Sequence, residues 1–95
     1  MAIRLTHQGV VLGEISDVTA EGLEMLGKFA PYPAADSYQA LFQYMVDEDN
    51  SLDEDPPFSA NLLDDSLWHV VDAGVVKDIF IPGVYQNGVI AWRWR

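Results

Sequence analysis

Ten carboxylates fall between Phe29 and Val76, a stretch with no Lys or Arg: Asp36, Asp47, Glu48, Asp49, Asp53, Glu54, Asp55, Asp64, Asp65 and Asp72. They are the side chains with which this chain could do chemistry, and a hard cation is the first thing to try against them. If Asp47 opens a calcium loop, Asp49, Ser51 and Asp53 fall at positions 3, 5 and 7. Position 6, however, is Leu52 where the sharp turn requires Gly, and position 12 is Phe58 where a bidentate Glu belongs. The EF-hand fails, and a looser oxygen-rich cation site stays open as an alternative. Paired carboxylates for acid–base work, Asp64 with Asp65 or Asp53 with Asp55, would need a cleft that shifts one pKa away from the other. Acids in so polar a segment are more simply solvated.

Other chemistries have less to work with. There is no cysteine, which removes disulfides, thiolate zinc sites, Cys nucleophiles and iron–sulfur clusters together. His7 and His69 are the only histidines and fall on separate expected strands, a poor start for a transition-metal site. No Gly-x-Ser-x-Gly occurs, and neither does a Gly-rich phosphate loop. A triad would need one of two histidines to meet one of five serines by tertiary accident. The pattern leans away from an enzyme and assigns no catalytic residue, no metal ligand and no cofactor.

The 95 residues carry 15 Asp+Glu against 5 Lys+Arg, a net charge of -10, and the sequence pI is about 4.1. Outside the carboxylate stretch Glu14, Asp17, Glu21, Glu24 and Asp78 balance Arg4, Lys28, Lys77, Arg93 and Arg95, so the whole excess lies between Phe29 and Val76. Eight of the ten acids lie between Asp47 and Asp65, close enough in a loop for their fields to add within a Debye length of ~8 Å. Such a surface repels nucleic acid and anionic lipid and attracts cations or a basic protein surface. A merely solvated, solubilising face is the plain alternative. The opening residues hold one Arg and no long apolar run, which predicts neither a signal peptide nor a membrane span, and a cytoplasmic protein.

The size suits one domain over residues 1–95, able to bury roughly 64% of its unfolded surface. Ile3 to His7 and Val10 to Ile15, separated by Gln8-Gly9, read as a tight hairpin. Glu24 to Ala30 alternates as a third strand. Pro33 can open a helix, and Tyr38, Leu41, Phe42 and Met45 place one apolar stripe on it to about Asp47. Asp47, Glu48 and Asp49 then crowd the negative end of its dipole. Residues 48–65, with Pro56-Pro57, read as an acidic loop that closes in one helical turn near Ser59 to Asp65.

Trp68 to Val71, Val75 to Ile81 and Val89 to Arg95 read as strands, with turns at Asp72-Ala73-Gly74 and at Asn87-Gly88, where both residues tolerate positive φ. The expected fold is α+β: a mainly antiparallel twisted sheet of five or six strands with one principal helix, about 33–47. Val75 to Ile81 is apolar on both faces, as in a strand buried on both sides. Either the sheet curls on itself or a second copy covers it, which raises a homodimer as an expectation. Trp92-Arg93-Trp94-Arg95 could stack on bases. Sheet-core tryptophans flanked by outward arginines suit the overall charge better.

The acidic run Asp47 to Asp55, Trp68, the Asp72-Ala73-Gly74 turn, Ile79 to Tyr85 and Gly88 to Arg95, with the opening Ile3 to Thr6 and Gly13-Glu14-Ile15, together resemble a group of small, acidic, uncharacterised bacterial proteins. The resemblance spans most of the chain and implies a small stand-alone bacterial protein, with no activity attached.

The leading expectation is a small binding protein. In it Asp47, Glu48, Asp49, Asp53, Glu54, Asp55, Asp64 and Asp65 engage a basic protein surface, in the manner of immunity proteins, antitoxins or inhibitors. The alternatives are a carboxylate-based cation-binding protein or small hydrolase, and a structural subunit of a homo-oligomer.

Overall fold

Gln8 and Gly9 both take positive φ, 51° and 81°, the mirror-image turn whose twist matches that of the strands it joins. This hairpin connects β1 (Ile3–His7) to β2 (Val10–Glu21). The computed structural model describes residues 3–46 and 58–95. It continues with β3 (Glu24–Pro31), a 3-10 segment (Pro33–Tyr38), helix α1 (Gln39–Val46), a 3-10 turn (Asp65–Leu67), and strands β4 (Trp68–Asp72), β5 (Val75–Asp78), β6 (Gly83–Val84) and β7 (Val89–Arg93). The architecture is the expected α+β, with one helical segment against a twisted antiparallel sheet. Seven strands run in the order β5-β4-β1-β2-β3-β7-β6; the strand beyond the expected five or six is the two-residue β6.

Several boundaries moved, each for a local reason. β2 continues six residues past Ile15 to Glu21, across a break in register between Ser16 and Thr19 where Asp17 takes φ 52°. That irregularity hides the alternation. The expected helix starts at Pro33 as foreseen, but its first six residues wind as 3-10 and only Gln39–Val46 is α; Asp36 and Ser37 are poor helix formers. Its expected last residue, Asp47, lies outside the described residues. The Asn87-Gly88 turn works by another route than two positive φ angles. Only Gly88 has positive φ, 87°, while the Asn87 side-chain oxygen accepts the Val89 N–H at 3.1 Å.

The largest correction concerns Val75 to Ile81. The ladder with β4 ends at Asp78, and Val75 and Val76 are exposed, so this is not a strand buried on both sides. Beyond Asp78 the chain leaves β4 and runs against the end of β7. Ile79 forms an isolated bridge with Trp94, the Phe80 N–H donates to the Arg93 carbonyl at 3.0 Å, and the Arg95 N–H donates to the Asp78 carbonyl at 3.1 Å. Pro82, which has no N–H to give a ladder, separates this contact from β6. The sheet therefore curls until its two ends touch without closing as a barrel. Curling brings Ile79 to zero exposure with no second copy needed.

Residues paired across antiparallel strands share a face. Leu5 pairs with Val70, Ile15 with Phe29, and Met25 with Trp92, so one face collects the core and the helical segment covers it with Ala35, Leu41 and Phe42. Each large apolar side chain fully buried there contributes about 2 kcal/mol. Two tryptophans anchor the cluster differently. The Trp68 indole N–H donates to the Leu62 carbonyl at 3.0 Å, whereas the buried Trp92 Nε1 has no partner. Trp92→Phe deletes a donor that is already unsatisfied, and Trp68→Phe orphans an acceptor. The first variant should be the more stable by at least about 1 kcal/mol, read from urea midpoints at equal m-value.

Candidate functional site

Six of the eight acids expected to meet a partner, Asp47, Glu48, Asp49, Asp53, Glu54 and Asp55, lie outside the described residues. The structure does show how the chain on either side of them is held. Val46 ends α1 on one side. On the other, the Phe58 ring packs edge-on against Tyr44 of α1, centroids 5.3 Å apart. The chain then turns through hydrogen bonds from the Leu62 N–H to the Ser59 carbonyl and from the Leu63 N–H to the Ala60 carbonyl, the single turn expected there.

His7 fastens that turn to the sheet. Its ring is 1% exposed, with Nε2 2.9 Å from the Asn61 carbonyl and Nδ1 2.8 Å from the Tyr38 hydroxyl. A carbonyl only accepts, so Nε2 carries the proton and Nδ1 accepts from Tyr38. The Trp68 ring lies 4.5 Å from the imidazole, and the Gln8 N–H donates to the Leu67 carbonyl at 3.0 Å. One histidine thus ties together β1, the 3-10 segment and the chain leading out of the acidic run. Sequence reasoning weighed His7 only as a catalyst or ligand. The useful signal was its phase: His7 follows Ile3 and Leu5 at period 2, on the core face of β1.

Asp64 and Asp65, the two described members of the expected set, both have local work. Asp64 caps the 3-10 turn, its Oδ1 accepting from the Ser66 N–H at 3.0 Å and the Ser66 hydroxyl at 2.6 Å. Those bonds, the hydroxyl's first, hold its carboxyl below the usual carboxylate pKa. Asp65 Oδ1 accepts the Ile81 N–H at 3.2 Å and so ties the end of the acidic run to the chain before β6. Because the folded pKa of Asp64 lies below its unfolded value, its contribution is present above the usual carboxylate range and lost as pH falls through the folded pKa. Melting temperature should therefore fall less steeply below about pH 4 in Asp64→Asn than in the native chain, a difference that scanning calorimetry resolves.

The cations are all spoken for. Lys28 pairs with Asp17 at 3.3 Å, Lys77 with Asp72 at 3.7 Å, Arg93 with Glu24 at 3.9 Å and Arg95 with Asp78 at 3.7 Å. Arg4 stands directly opposite Glu14 across the β1–β2 ladder. Asp78 also meets His69 Nε2 at 3.1 Å, so His69 is a cross-strand partner on the surface. Exposed pairs of this kind add little stability, but they fix where the charge is. Arg93 and Arg95, the basic half of the Trp-Arg-Trp-Arg end, face acids of their own chain. Trp92 is buried and Trp94 is about two-fifths exposed, so only one of the two expected core tryptophans is in the core.

Comparison with known proteins adds nothing to this geometry. No protein-family model, curated protein or solved structure matches the chain.

Among the described residues no three His, Asp or Glu side chains gather to hold a metal, and no helix is long and apolar enough to cross a membrane. The most apolar hollow, about 440 Å³, lies at the turn between β2 and β3, where Leu23 and Met25 face Phe80 and Trp94.

Proposed function

We propose that this chain is a small binding protein whose acidic run, Asp47, Glu48, Asp49, Asp53, Glu54, Asp55, Asp64 and Asp65, engages a basic surface on another protein. The observation that carries the reading is the use of the cations. All five Lys and Arg side chains stand against Asp17, Asp72, Glu24, Asp78 and Glu14. The acids of the run have no cation of their own chain left to neutralise them, and a dense unpaired field of one sign steers and holds a surface of the other. Fixed ends help. Phe58 against Tyr44, Asn61 on His7 and Asp65 on the Ile81 amide limit the conformations the run loses on binding. The lack of cysteine suits the reducing cytoplasm as the place where this happens.

The test is capture from host lysate on the immobilised chain, beside a variant in which the eight carboxylates become Asn or Gln. A basic protein retained by the native chain at low salt, released at high salt and not retained by the variant is the expected result. Identical capture by the two chains at both salt concentrations overturns the proposal.

A further inference from the structure

We infer that the hollow between the β2–β3 turn and the chain end is the contact surface of a two-fold homodimer. Its walls are out of place on a monomer: Leu23 is 84% exposed, Phe80 43% and Trp94 42%, and all three line one hollow of about 440 Å³. Grouped exposed apolar side chains mark a contact site.

Charge selects a second copy as the occupant. Two chains of net charge -10 repel unless they meet where charge is locally balanced, and this rim is balanced. Arg93 faces Glu24, Arg95 faces Asp78 and Lys77 faces Asp72, with the Lys77 ammonium 5.5 Å from the centre of the Trp94 ring. A basic partner, suited to the acidic run, gains nothing here. Shape agrees as well. A two-fold contact uses one patch twice, so the patch must supply both a projection and a recess. Leu23 projects from the two-residue turn Gly22-Leu23, and Phe80 and Trp94 wall the recess beside it, so each copy's Leu23 enters the other's hollow. The surface is distinct from the acidic run and independent of its proposed role.

Sedimentation equilibrium of the purified chain at low and high salt tests this, with Leu23→Ser, Phe80→Ser and the double variant Val75→Ser/Val76→Ser. Leu23 sits on an exposed turn, so its replacement leaves the core alone, and thermal melting verifies that each variant folds. The expected result is a particle of twice 10.6 kDa that tightens as salt screens the repulsion between copies. Its dissociation constant should rise at least about tenfold in Leu23→Ser and in Phe80→Ser and stay unchanged in the β5 variant. A monomer at every concentration overturns the inference. So does a dimer indifferent to Leu23→Ser, or one broken by the valine replacements, which would place the contact on the β5 edge.

Discussion

Trp68→Ala should lower stability by about 4 kcal/mol, the upper range for losing a fully buried aromatic side chain. Trp68 has zero exposure, and its ring touches His7, Tyr38 and Phe42, with centroids 4.5, 5.8 and 6.1 Å away. The substitution therefore opens a cavity where sheet, 3-10 segment and helix meet. It also removes the donor to the Leu62 carbonyl, loosening the chain that leads out of the acidic run. A domain of this size has only about 5–14 kcal/mol in total, so the variant should melt some 15 °C or more below the native chain. A drop of only a few degrees would mean that Trp68 does not join these elements.

Gly13→Ala should cost about 3 kcal/mol through the opposite fault, too much volume. A Cβ built on Gly13 would lie 2.5 Å from the Ala30 carbonyl oxygen and 2.7 Å from Phe29 Cε1. The first neighbour is backbone held in the β2–β3 ladder, where Gly13 pairs with Pro31 and Glu14 with Ala30. The second belongs to a ring packed edge-on against Phe42 at 6.0 Å. Neither can withdraw cheaply, so one added methyl must spread β2 from β3. Urea titration should show a midpoint shift of that size, and an unchanged midpoint would contradict the close approach of the two strands.

Much of the fold was legible because it rests on local chemistry. Gln8-Gly9 sets a twist that only a tight hairpin uses, and Tyr38, Leu41, Phe42 and Met45 mark one helical stripe. What escaped depends on partners distant in sequence. Residues 16–21 have no alternation to read, and they extend because β3 offers them a ladder from Lys28 to Glu24. Val75 and Val76 look like core and are exposed, because the strand they begin turns away from β4 after Asp78 and spends its next apolar residue, Ile79, under the end of β7. The division of charge was plain from residue order alone. That each cation stands against an acid was a matter of strand register, and so was the burial of His7 beside Tyr38, 31 residues away.

The most direct test of the acidic run is thermal unfolding at matched ionic strength with EDTA, Mg²⁺, Ca²⁺, Mn²⁺ or a lysine-rich oligopeptide as the added component. A protein-binding face predicts stabilisation by the peptide alone, lost when salt is raised, with the three metals indistinguishable from EDTA. A selective rise of several degrees with one divalent cation, and none with the peptide, would contradict it and make these carboxylates a metal site.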